Sequence, residues 1–168
     1  IIAIASGKGG VGKSTTTINI ASVLSEKFKV GILDLDIYGP SLPMALNCYE
    51  QPRMNSKKQL IPIEKFGMKL MSFGFLNSEK NPTIWRGPMV SRMTQQFFEH
   101  VDWGELDYLL LDLPPGTGDI QLTLVQQIAL SGAIIVTTPQ DLAILDVTKA
   151  SDMFRKLKTP IIGVIENM

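Results

Sequence analysis

The chain is 168 residues long, about one domain, and a chain of that length buries roughly 70% of its unfolded surface without disulfides or metal. Its 16 Lys and Arg balance its 16 Asp and Glu, which argues against a broad basic nucleic-acid surface and against an acidic disordered tail. A single cysteine, Cys48, excludes an internal disulfide, fits a reducing compartment, and cannot by itself furnish a structural zinc or an iron–sulfur cluster. No apolar run approaches the ~18 residues of a membrane-spanning helix, and no signal peptide is legible. Both ends fall on apolar runs, so further sequence is expected on either side.

In chain order, residues 1–5 are an apolar run of the kind that forms a buried parallel strand. They lead into Gly7-Lys8-Gly9-Gly10-Val11-Gly12-Lys13-Ser14-Thr15, which satisfies G-x-x-x-x-G-K-[ST] between a strand and a helix, the context this phosphate-binding loop requires. Gly7, Gly9, Gly10 and Gly12 let backbone N–H groups turn toward phosphate oxygens, with Val11 and Thr15 completing the cradle. The helix N-terminus adds its positive end. Lys13 is expected on the β- and γ-phosphates, and Ser14 on Mg²⁺ through its hydroxyl. Lys8 is an additional cation able to neutralise charge that develops in phosphoryl transfer. A helix predicted over 14–27 turns Ile18, Ala21, Val23 and Leu24 to one face.

A strand at 30–33 ends in Asp34-Leu35-Asp36-Ile37-Tyr38-Gly39-Pro40-Ser41. Carboxylates at the C-terminal end of a strand lie where α/β sheets bind ligands. Alternation puts Asp34 and Asp36 on the same side: one is expected to help hold Mg²⁺ through water and the other to orient the attacking water, or one caps the helix after Pro40. Residues 48–88, with Pro52, Pro62, Pro82, Pro88 and a polar turn at 55–59, read as an irregular insertion carrying one or two short strands. The apolar run 70–73 reads as a buried strand, Cys48 as a small buried hydrophobe and Lys57-Lys58 as a solvated pair. A helix is predicted over 89–101, with Met89, Met93, Phe97 and Phe98 in packing and His100 as a cap near its end. Trp85 and Arg86 read either as a partner-facing anchor or as part of a hinge.

The run at 108–113 is an apolar strand meeting Asp112, the Walker B arrangement that puts this carboxylate on Mg²⁺. Gly116 is expected to offer a backbone N–H near the γ-phosphate, in a loop that orders with ATP and relaxes after hydrolysis. Asp119 either caps the helix predicted at 120–130 or belongs to that switch. A strand at 133–137, a helix at 142–157 and a strand at 161–165 complete the alternation. Strand alternating with helix predicts one α/β domain over 1–168, a doubly wound, mostly parallel sheet with helices on both faces.

With Lys8, the phosphate loop resembles the deviant Walker A loop of the MinD and nitrogenase-iron-protein superfamily of P-loop NTPases. The run at 34–41, Trp85-Arg86-Gly87-Pro88-Met89, the run at 112–119, Thr138-Pro139-Gln140-Asp141 and Glu166-Asn167-Met168 narrow the likeness. Together they resemble the Mrp/ApbC family of iron–sulfur cluster carrier ATPases, over essentially the whole chain. That resemblance implies slow ATP hydrolysis with Mg²⁺, gating the loading of a cluster and its transfer to apo-protein acceptors. It implies a homodimer in which Lys8 reaches the partner's nucleotide, Asp36 positions water, Asp34 stands on the metal side, Asn167 hydrogen-bonds adenine and Pro139 stacks near the base. The family's cluster sits on a Cys-x-x-Cys pair beyond the Asn-Met segment, so no cluster ligand is expected among these residues, and Cys48 does not align with that pair. No nucleic-acid or membrane partner is expected, and the compartment implied is the cytoplasm, with the mitochondrial matrix as the alternative. The rival readings are a MinD/ParA-like spatial-organisation switch, a GTPase or kinase of the same superfamily, and a nucleotide-binding scaffold without turnover.

Overall fold

The computed structural model describes residues 1–76, 97 and 100–168, the side chains of 119 and 120 excepted. The elements are β1 (Ile2–Ala5), α1 (Lys13–Ser25), β2 (Val30–Asp34), α2 (Leu42–Ala45), β3 (Arg53–Met54), β4 (Leu60–Ile61), β5 (Ile63–Lys65), β6 (Met68–Ser72), a 3₁₀ turn at Phe73–Phe75, β7 (Tyr108–Asp112), α3 (Asp119–Gln126), β8 (Gly132–Thr137), α4 (Asp141–Lys156) and β9 (Ile161–Glu166). The described residues build a seven-stranded sheet in the order β5-β6-β2-β7-β1-β8-β9 and a separate β3-β4 pair. Every neighbouring pair in the large sheet is parallel except β5-β6. The chain is an α/β doubly wound, mostly parallel fold, as the alternation of apolar runs and helical patterns predicts.

The apolar runs become strands because both faces of the sheet are covered. On one face α1 packs Ala21, with the half-buried Ile18, Ile20 and Leu24, over Ile4, Ile32, Leu110 and Val136. On the other, Leu124 and Val125 of α3 and Ala150, Met153 and Phe154 of α4 close over Ala5, Leu33, Leu111 and Ile135. Val23, expected on the inward face of α1, is 68% exposed. The buried stripe runs through Lys13, Thr17 and Ala21 instead, a spacing of four that leaves Val23 on the outer side.

Helix bounds shift by a few residues. α3 stops at Gln126 rather than at 130, because the Gln127 and Ile128 N–H groups bond to the carbonyls three residues back and tighten the chain out of the helix. Its cap is Gly118, with Asp119 the first helical residue. α4 carries Asp141 in its first turn and Arg155 and Lys156 in its last, matching the helix dipole.

The insertion holds more strand than expected. β6 is the strand expected at 70–73, β3 to β5 add three short ones, and β5-β6 extend the main sheet through the tight turn at Phe66 and Gly67, both with positive φ. Strands of two or three residues are too short for alternation to show in sequence. Cys48 is buried, as a small hydrophobe should be, and Phe97 packs edge-on against Phe73 with ring centroids 4.3 Å apart. His100 is exposed. The readings of Trp85, Arg86, Met89, Met93 and Phe98 lie outside the described residues.

Candidate nucleotide site

From β1 the chain crosses through α1 to β2 on one side, and from β7 it crosses through α3 to β8 on the other. β1 and β7 are neighbours whose connections leave in opposite directions, so the crevice of the sheet opens at their C-terminal ends. The phosphate loop follows β1, and Asp112 closes β7, at that crevice. Register then sets a row across three strands: Asp112 of β7 lies beside Asp34 of β2, and Asp34 beside Ser72 of β6.

The loop wraps the start of α1. Gly12 caps the helix at φ 82°, a conformation that L side chains rarely adopt, and a Cβ there would run into the Asn167 side-chain amide. A Cβ on Gly7 would likewise meet Asp146 of α4. The loop is thus held by close backbone approach from two later elements. Asn167 reinforces it: its Nδ2 donates to the Val11 carbonyl at 3.0 Å, and its backbone N–H donates to Thr137 O at 2.8 Å. Pro139, just beyond β8, is exposed.

A cleft of about 340 Å³ is lined by Gly9, Gly10, Gly12, Lys13, Ser14 and Thr15 on one side and by Asp36, Ser41, Met44 and Pro115 on the other. Lys13 Nζ stands 2.5 Å from Asp112 Oδ1 and 3.5 Å from Ser14 Oγ. Both partners of this ion pair are almost fully buried. Thr17, one turn along α1, places its hydroxyl 3.3 Å from the same Asp112 oxygen. The Ser14 hydroxyl and the Asp112 carboxylate therefore both lie against the Lys13 ammonium, and both are of the oxygen-donor type that a hard divalent cation takes. Lys8 is half-buried, and its ammonium makes no ion pair among the described residues. Among those residues no three His, Cys, Asp or Glu side chains gather as a metal site.

The two acids of the β2 end part company. Asp36 is half-buried and lines the cleft, with its Oδ1 accepting from the Tyr38 and Gly39 N–H groups at 3.2 and 3.0 Å. Asp34 is fully buried, and both of its oxygens are committed to protein donors. Its Oδ1 accepts from Asp36 N at 3.1 Å, and its Oδ2 from Leu42 N at 3.3 Å and Ser72 Oγ at 3.0 Å. Burial, and next the Asp112 carboxylate, push the Asp34 carboxyl up to about 6 against the pull of these three donors. Asp34, expected on the metal side, accepts from the first N–H of α2. The Gly116 N–H donates to Ser6 O at 3.0 Å.

Thr17 and Ser72 are site residues that pattern reading passed over. Thr17 had a signal, standing one helical turn after Lys13. Ser72 had a fainter one, a polar residue closing an apolar strand.

A family described as NUBPL iron-transfer P-loop NTPase matches residues 1–168. The iron-sulfur cluster carrier protein of Aquifex aeolicus is 53% identical over 171 residues, covering 100% of this chain and 47% of its own length. A nucleotide-binding protein of Archaeoglobus fulgidus, solved in complex with ADP, superposes with a TM-score of 0.85 at 42% identity, over 98% of this chain and 65% of that one. The cell division ATPase MinD of Pyrococcus furiosus shares the fold, with a TM-score of 0.73 at 20% identity, over 98% of this chain and 70% of its own. The chain spans about half the length of the curated relatives it matches.

Proposed function

The chain belongs to the NUBPL iron-transfer P-loop NTPase family, and from that membership we propose that it is the ATP-hydrolysing engine of an iron–sulfur cluster carrier. The observation that carries this reading is the cleft at the switch point of the sheet lined by Lys13, Ser14 and Asp36, with Asp112 paired to Lys13 behind it. The loop N–H groups and Lys13 hold the β- and γ-phosphates, and Ser14 and Asp112 supply the oxygens for Mg²⁺. The cation, when bound, offsets the negative charge of the phosphate oxygens. Asp36 positions the water that attacks the γ-phosphorus as the bond to the ADP oxygen breaks, and Lys13 stabilises the charge left on that oxygen. The Gly116 N–H joins this set when its peptide turns away from Ser6.

Asn167, already anchored to Val11, presents its side-chain carbonyl as an acceptor for the adenine amino group, beside the exposed Pro139. Lys8, with no ion pair among the described residues, serves the nucleotide of a second copy, so the active form is a homodimer. The cargo is an iron–sulfur cluster passed to apo-proteins, a proposal about the whole protein. No described helix is long and apolar enough to cross a membrane, and the proposed place of work is the cytoplasm.

The test is phosphate release from Mg-ATP by the purified protein, together with binding of a fluorescent ATP analogue. Asp36→Ala is expected to lose release and keep binding. Lys8→Ala is expected to lose both release and ATP-dependent dimerisation in sedimentation. Binding without any release by the wild type would leave the scaffold reading standing instead.

A further inference from the structure

One carboxylate grips both ends of the loop that carries Asp36. Asp36 N, at the loop's entry, donates to Asp34 Oδ1, and Leu42 N, at its exit, donates to Asp34 Oδ2. The residues between them, with α2 directly after, form the wall of the cleft that faces the phosphate loop. Where the Asp36 carboxylate stands thus depends on the orientation of Asp34. Asp34 is held in turn from the sheet side by Ser72, whose Oγ donates to Oδ2 at 3.0 Å and accepts from Gly74 N at 3.0 Å. That hydroxyl belongs to a fully buried side chain. Because it also receives the Gly74 N–H, its one proton is directed at Asp34.

We propose that Ser72 is a positioning residue for phosphoryl transfer, setting through Asp34 the place of the Asp36 loop in the nucleotide cleft. This rests on the hydrolytic reading above. Without the hydroxyl, Oδ2 keeps only the longer bond from Leu42, and the carboxylate can swing and release one end of the loop. Misplacing a group that orients water costs the chemical step and leaves nucleotide binding, which the phosphate loop supplies, largely untouched.

Ser72→Thr and Ser72→Val are isosteric with each other and differ in the hydroxyl, and the extended backbone at this position (φ −150°, ψ 148°) accepts β-branched side chains. In the Val variant, amide hydrogen exchange at Asp36 and Leu42 is expected to quicken and kcat to fall about tenfold or more, with the ATP Kd within about twofold of wild type. The Thr variant is expected to keep slow exchange and most of kcat. Ser72→Ala repeats the comparison with wild type if a β-branched variant does not fold. The proposal is overturned if Val and Thr behave alike, or if the loss of kcat follows a matching loss of ATP affinity or melting temperature. Phosphate release by the wild type is measured first: its absence removes the hydrolytic reading, while exchange at Asp36 and Leu42 still decides whether Ser72 holds the loop.

Discussion

Lys13 Nζ and Asp112 Oδ1 lie 2.5 Å apart, in side chains almost fully withdrawn from solvent. This pair joins the phosphate loop to the strand beside it, so its removal is expected to be felt in folding as well as in nucleotide binding. Asp112→Ala leaves a buried ammonium without its counter-charge, which costs about 3–5 kcal/mol. Asp112→Asn keeps an oxygen facing Lys13 and is expected to cost less. Urea unfolding of the three proteins without nucleotide checks the order, and an Ala variant as stable as wild type would sink it.

The Gly12 backbone and the Asn167 side chain set a second expectation. Gly12→Ala meets both a positive φ and the Asn167 amide. It is expected to lose about 1–3 kcal/mol of stability and most nucleotide affinity. Adding Asn167→Gly removes the collision but not the backbone strain, so recovery should be partial. Full recovery of the melting temperature in the double variant would mean that crowding alone excludes a side chain there.

The buried Asp34 carboxyl makes stability depend on pH in a definite direction. Its folded-state value, about 6, lies above the ordinary 3.8, so the native state holds this proton more tightly than the unfolded chain does. The stabilisation is present in full below the ordinary value and is lost as pH rises through about 6. Two units correspond to at most about 3 kcal/mol. Asp34→Asn is expected to flatten this dependence in the metal-free protein. Denaturant midpoints taken across the window would refute it if wild type and variant fell in parallel.

The inward face of α1 can be tested by a pair of substitutions. Val23→Lys, on the exposed side, is expected to change stability by no more than about 0.5 kcal/mol. Ala21→Leu forces extra methylenes between α1 and the sheet, at a position with 0% exposure, and is expected to cost about 1–3 kcal/mol. Equal effects at the two positions in thermal melts would reverse the assignment of faces.

The phosphate loop, the large strands, the crossover helices and the acids closing β2 and β7 were legible in the sequence, because apolar periodicity and glycine chemistry act over a few residues. Helix bounds and the short strands of the insertion were not, since two or three residues carry no readable period. Tertiary structure alone decided which groups meet. Asp112 pairs with Lys13 across 99 positions of chain, and Asn167 reaches Val11 across 156. Asp34 and Asp36, indistinguishable by alternation, were separated only when β6 brought Ser72 alongside β2 and α2 folded its first N–H back onto Asp34. Strand order and register arise from packing and hydrogen bonding over the whole sheet, so no local pattern encodes them. The sequence by itself determined that a glycine-rich phosphate-loop motif follows β1; the assembled sheet decided which carboxylate faces the cleft and which one bonds to both ends of that carboxylate's loop.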